Sequence, residues 1–314
     1  MDNLQQRKGY RRVFKENRLT LGLFIPIESY SGSFPTMERQ IQMVQKAEKS
    51  GFGAVWVRDI PLYDPYFGDV GQIYDPWVYL GYLSAHTEQI ALGTASIIFA
   101  LRHPIHTAKA AASIDHLSKG RLLLGVASGD RPIEFPAFNV GHASRGETFV
   151  DSFNYFNALL EKDFASISNS LGTLNGNAGV VPKPYTGKIP LFITGTSRQT
   201  LEWIGQNGDG WMYYPRNLAY QSTAVESWRR VTPYFKPFMQ SLYIDLTEDP
   251  DATPTPIHLG FRIGSNHLIS FLKSLEAIGV NHVILNVKYG QRDINDVMEE
   301  LSEVVLPEFP SITE

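Results

Sequence analysis

The residues best placed to do chemistry sit where apolar runs stop. Gly93-Thr94-Ala95-Ser96 closes one such run, and Ala127-Ser128-Gly129-Asp130 closes the next. Small residues at the carboxyl ends of neighbouring parallel strands leave room for a flat ligand on the sheet edge. A third run passes through Ile193 and Thr194 into Gly195, Thr196, Ser197 and Arg198, and a helix starts almost at once. Backbone N–H groups at that helix start, two hydroxyls and a guanidinium suit a phosphate. An ordinary helix cap by Thr196 or Ser197 is the alternative. Asp59 follows a buried run at 54–57; it can accept a hydrogen bond from a ligand, or pair with Arg58, or cap a helix. His142 and Arg145 lie in a polar connection, where a histidine is either an acid, a base or ligand contact, or simply solvated. Tyr63, Tyr66, Phe67 and Tyr74 crowd one loop and either line an apolar pocket or form a small core of their own.

These residues need strands and helices to hold them. Valine-, isoleucine- and leucine-rich strands are expected at 19–26, 54–57, 90–98, 122–127, 189–194, 209–214, 239–246 and 282–287. Such runs, without polar alternation, suit strands covered on both faces. Helical patterns fall between them, at 37–50, from Asp75-Pro76, from His103-Pro104 to Leu117, and at 147–160, 200–206, 219–234, 266–278 and 294–305. Residues 163–180 read as a surface insertion and 247–256 as a proline-broken loop. The alternation predicts one (β/α)8 TIM barrel over 19–314, with loop insertions and a loose N-terminal arm over 1–18. An open doubly wound sheet is the alternative. No Gly-x-Gly-x-x-Gly follows a strand, which counts against a dinucleotide fold. Gly-x-Ser-x-Gly and zinc-type His-x-x-x-His patterns are also missing, so neither a serine triad nor a metal site is expected.

The chain has 314 residues, a formal net charge of −4 and no cysteine. The charge argues against a nucleic-acid partner or a polybasic membrane contact. The missing cysteine excludes disulfides and thiolate chemistry and points to the cytoplasm. Residues 1–18 are polar and basic and read as no secretory signal, and no apolar run is long enough to span a bilayer.

Several stretches resemble the bacterial luciferase-like family of flavin-dependent monooxygenases. They are Val55-Trp56-Val57-Arg58-Asp59, Leu92-Gly93-Thr94, Arg102-His103-Pro104 and Ile114-Asp115-His116-Leu117-Ser118-Lys119-Gly120-Arg121. Leu124-Gly125-Val126-Ala127-Ser128-Gly129, Pro190-Leu191-Phe192-Ile193-Thr194-Gly195-Thr196-Ser197 and Asn207-Gly208-Asp209-Gly210-Trp211 continue the series in order. The resemblance implies a (β/α)8 barrel that binds reduced FMN from a separate flavin reductase and uses dioxygen to oxygenate a small organic substrate. Deazaflavin-dependent oxidoreductases and a non-catalytic flavin-binding subunit are the alternatives. By position, Asp59, Thr94 and Ser128 would lie beside the flavin ring and ribityl chain. Ser96 and Gly129 belong to the same strand ends. His142 and Arg145 match a histidine and arginine of the family loop, and Ser197 matches its phosphate-contacting serine. Asp59 and His142 are the catalytic candidates; Gly195, Thr196 and Arg198 complete the cofactor set. Two departures matter. Gly146 stands where many relatives have tyrosine, which would pass its phosphate contact to Arg198. Ile60 stands where many have histidine, which argues against light emission. The resemblance also implies a homodimer.

Overall fold

The computed structural model describes residues 3–67 and 70–312. Met1, Asp2, Gly68, Asp69, Thr313 and Glu314 lie outside them, including part of the expected arm and of the aromatic loop. The chain starts with α1 (Lys8–Val13), β1 (Thr20–Phe24), α2 (Gln40–Ser50), β2 (Ala54–Val57), α3 (Pro76–His86), β3 (Ala91–Ile98), α4 (Pro104–Leu117) and β4 (Leu122–Ala127). Then come α5 (Glu134–Ala137), α6 (Arg145–Glu161), the hairpin β5 (Ser166–Asn169) and β6 (Gly172–Asn175), β7 (Leu191–Thr194), α7 (Leu201–Asn207), β8 (Gly210–Tyr213), α8 (Leu218–Val231) and β9 (Phe238–Leu246). A second hairpin, β10 (Thr255–Ile257) and β11 (Gly260–Ile263), leads to α9 (Ser265–Ala277), β12 (His282–Asn286) and α10 (Ile294–Glu300).

Eight strands pair in parallel in the order β1, β2, β3, β4, β7, β8, β9, β12, and β12 returns to β1. This is the expected closed (β/α)8 barrel. Local sequence starts the helices where capping chemistry predicts. Asp75 accepts from the N–H groups of Trp77 and Val78, and His103 Nδ1 accepts from Ile105 N–H. The 247–256 loop was expected to carry no strand, but its end enters the β10–β11 hairpin. Pro256 survives there because β10 is an edge strand. β11 pairs in parallel with the far half of β9, from Gly260 opposite Tyr243, and brings His258 and Leu259 to the barrel mouth.

The barrel interior closes by matching absent side chains to large ones. A Cβ on Gly93 would sit 2.2 Å from a Trp56 ring carbon, and one on Gly22 would sit 2.6 Å from His282 Nε2. Both glycines leave room for the rings inside. The expected loose arm is packed at Leu4, Tyr10, Val13 and Phe14, while residues 15–18 are exposed. Tyr10 and Val13 of α1, and Phe14 just after it, are buried with Trp56, Leu123, Phe192, Met239 and Ile284. Their helical spacing was hidden among arginines and lysines, so the segment looked polar on average although one stripe is apolar. α1 thus plugs the amino-terminal end of the barrel.

His282 ties this plug to the strands. Thr20 Oγ1 donates to Val13 O (2.8 Å), which leaves it to accept from His282 Nδ1 (2.8 Å); Trp56 Nε1 donates to His282 Nε2 (3.0 Å). The ring is therefore neutral with its proton on Nδ1. Complete burial drives its pKa from 6.5 to about 3. The unfolded chain binds this proton first, so the neutral ring's contribution is fully present above about pH 6.5. It is lost as pH falls toward about 3, at about 1.4 kcal/mol per pH unit. Urea titrations of wild type and His282→Gln over that window should show a steeper acid loss in wild type; parallel curves would refute the assignment.

Candidate active site

The carboxyl ends of the strands surround a cavity of about 600 Å³. Phe24, Ala95, Ala127, Met212 and Ile284 form an apolar floor, and polar side chains stand above it. This volume lies in the range of sites that enclose a cofactor or drug-sized molecule.

Most of the expected residues converge here. Ser96 lines the cavity, its hydroxyl hydrogen-bonded to Thr194 across the barrel. Ser128 and Gly129 follow β4, and Ser128 N–H donates to Ser197 Oγ (3.3 Å). Ser197 Oγ itself donates to Thr194 O (2.9 Å). Ser197 therefore joins the ends of β4 and β7 while facing the cavity. Gly195, Thr196 and Arg198 complete that turn and line the cavity too. Gly195, Ser197 and Arg198 all have left-handed backbones, with φ of 56°, 46° and 64°. Two such residues in a row with side chains are strained by about 1–3 kcal/mol each, a pattern concentrated at functional turns.

Asp59 lines the cavity with its carboxylate already engaged. Arg102 grips it in bidentate fashion, Nε to Oδ2 at 2.8 Å and Nη2 to Oδ1 at 2.7 Å, and Ile98 N–H donates to Oδ2 at 3.1 Å. The expected partner Arg58 instead donates to Tyr243 Oη (2.7 Å). A carboxylate held by a guanidinium fork and a backbone N–H is fixed in place as an acceptor. Thr94 does not reach the cavity. It is fully buried in the wall and donates to Gly125 O (2.8 Å). Strand alternation explains this: Ala95 faces inward, so Thr94 faces the helices.

His142 also lies outside the cavity lining. Its ring meets Phe135 edge-on, 4.9 Å between centroids, and its buried Nε2 has no hydrogen-bond partner among the described residues. Burial, then Arg145 and Arg198, lower its pKa. It stands beside the arginine end, packed on Phe135 and outside the cavity lining. Of the four loop aromatics Tyr63, Tyr66, Phe67 and Tyr74, Phe67 lines the cavity, under the Arg131 guanidinium at 4.4 Å, while Tyr66 is 97% exposed.

Arg145 and Arg198 form a cationic end. Arg145 donates from Nε to Gly129 O (3.1 Å) and from Nη1 to His142 O (2.5 Å). Burial, then the Arg198 charge, lower its pKa. Two guanidiniums that repel each other gain from an anion placed between them. Gly146 makes the arrangement possible, because a Cβ there would lie 2.6 Å from Arg198 Cβ.

Glu134 went unnoticed in the sequence, inside what read as a mere connection. It lines the cavity and is 1% exposed. Burial, opposed by Arg131 and reinforced by Asp59, raises its pKa to about 7. A lone acid between Ile133 and Phe135, just past a strand end, was the available signal.

The luciferase-like monooxygenase family matches residues 19–234, and the chain belongs to it. An uncharacterized protein of Mycobacterium tuberculosis is 33% identical over 146 residues, 46% of this chain and 51% of its own. An alkanal monooxygenase beta chain of Photorhabdus luminescens is 26% identical over 193 residues, 60% of this chain and 57% of its own. The chain thus spans only about half the length of the curated relatives it matches. A solved F420-dependent secondary alcohol dehydrogenase, in complex with an F420-acetone adduct, shares the fold at a TM-score of 0.76 and 18% identity, covering 95% of this chain and 100% of that one. A solved riboflavin lyase with modified FMN shares the fold as well, at a TM-score of 0.72 and 16% identity, covering 92% of this chain and 91% of that one. No described helix is long and apolar enough to cross a membrane.

Proposed function

We propose that the protein is a monooxygenase that uses reduced FMN, supplied by a flavin reductase, and dioxygen to oxygenate a small organic molecule. The observation that carries this reading is a cavity with an apolar floor and a two-arginine end. The small side chains of Ala95 and Ala127 leave room for a flat ring, and a phosphate would relieve the Arg145–Arg198 repulsion. The residues therefore fit FMN. Bound reduced flavin would supply the electrons that activate dioxygen. The chain's own residues position and shield. Arg145, Arg198 and the Gly195–Ser197 turn hold the phosphate end, with Gly146 leaving Arg198 the space that a tyrosine would fill. Asp59, fixed by Arg102, accepts a hydrogen bond from the cofactor. The Arg131–Phe67 pair lines the cavity and would limit water beside a bound ring.

FMN titration of the protein, oxidised and then anaerobically reduced, tests the reading. Tighter binding of the reduced form, weakened several-fold by Ser197→Ala, is expected. Deazaflavin hydride transfer is the second reading, favoured by the whole-length likeness to the F420-dependent dehydrogenase. No FMN binding in either redox state would favour it, and substrate-dependent incorporation of oxygen from dioxygen with reduced FMN would exclude it. The proposed homodimer would use α3, whose Val78 and Tyr82 are 73% and 50% exposed.

A further inference from the structure

Glu134 opens α5, between the end of β4 and α6. Its Oε1 is buried and has no hydrogen-bond partner among the described residues. The backbone N–H of Leu62 serves the carboxylate on its other side. A buried carboxylate with one oxygen unserved is poorly stabilised when ionised. As an acid it has an O–H to offer whatever occupies the cavity it lines. The charged groups around it come from two loops. Asp59, gripped by Arg102, stands after β2, and Asp130 and Arg131 stand after β4. Burial and the two neighbouring carboxylates outweigh Arg131, so the proton is held up to about pH 7.

We propose that Glu134 is the proton-exchanging acid of this cavity. Its O–H bond breaks, the proton passes to an oxygen or nitrogen of the molecule bound against it, and the carboxylate left behind is stabilised by Arg131. Oxygenation releases one atom of dioxygen as water, and that oxygen must be protonated in a site that excludes solvent. Bound reduced flavin would supply the two hydrogens that end in the released water, so Glu134, reprotonated within the turnover, is left unchanged by it. The role rests on the proposed function for the identity of the bound molecule. The protonation state of Glu134 does not.

Two readouts keep these apart. Infrared spectra of the ligand-free protein, wild type against Glu134→Gln, should show a protonated-carboxyl C=O band that titrates near pH 7 and is missing in the variant. Reduced FMN is then titrated anaerobically over a pH series, and comparing the two proteins removes the flavin's own titrations. Wild type is expected to lose affinity relative to Glu134→Gln by up to about tenfold per pH unit above 7, and Glu134→Asp to keep part of the dependence. Parallel profiles, or a carboxyl already ionised at neutral pH, overturn the proposal. Absence of flavin binding with the band intact overturns the flavin reading and supports the acid.

Discussion

Arg7→Ala is expected to destabilise the protein by about 3–5 kcal/mol, the range for removing one partner of a buried ion pair. Arg7 and Asp115 form a salt bridge with both side chains fully buried. Arg7 also donates to Thr186 O, and Asp115 Oδ2 accepts from Tyr185 N–H at 2.8 Å. One residue just before α1 thus holds the end of α4 and the segment before β7. Burial already pushes the Asp115 carboxyl above its ordinary pKa with Arg7 beside it. Without Arg7 the charge is stranded, and the variant escapes only by protonating Asp115. The loss should therefore shrink as the solution is acidified. Urea unfolding at two pH values measures both effects. Arg7→Met combined with Asp115→Leu should recover most of the stability, because well-packed apolar replacements of a buried pair are often neutral. A loss under about 1 kcal/mol in Arg7→Ala would mean that the amino-terminal segment is the loose arm its composition suggested.

The second large effect concerns the cationic end. Arg145→Ala and Arg198→Ala are each expected to weaken FMN binding by about 10- to 100-fold, the value of one lost charge-assisted contact. Binding of riboflavin, which lacks the phosphate, should hardly change. Raising salt should weaken FMN binding to wild type and have less effect on either variant. Isothermal titration of wild type and both variants with both ligands gives the affinities needed. Equal losses for FMN and riboflavin would mean that the arginines support the fold of the turn and do not meet a phosphate. Unchanged FMN affinity in Arg198→Ala would return the phosphate contact to Arg145 and the backbone alone.

Much of the fold was readable because its signals are local. Val55 to Val57, Leu122 to Val126 and Leu191 to Ile193 announce covered strands by their own composition, and Asp75-Pro76 and His103-Pro104 announce helix starts by capping chemistry. Strand order then follows from the right-handed β-α-β connection, which makes sequential strands neighbours. The site was readable to the same depth. In a barrel the strand ends must converge, so Ser96, Ser128, Gly195 and Ser197 could be placed at one mouth from spacing alone.

What the sequence by itself determined is thus the alternation, the barrel and the small, hydroxyl-rich ends of its strands, because each depends on residues a few positions apart. The tertiary structure alone decided which charges meet. Asp59 takes Arg102 and not its neighbour Arg58, and Arg7 takes Asp115. Thr94 turns into the wall, His142 packs against Phe135, and Glu134 is buried with an oxygen left over. These pairings join segments brought together only when the barrel closes, and burial then sets which groups keep their charge.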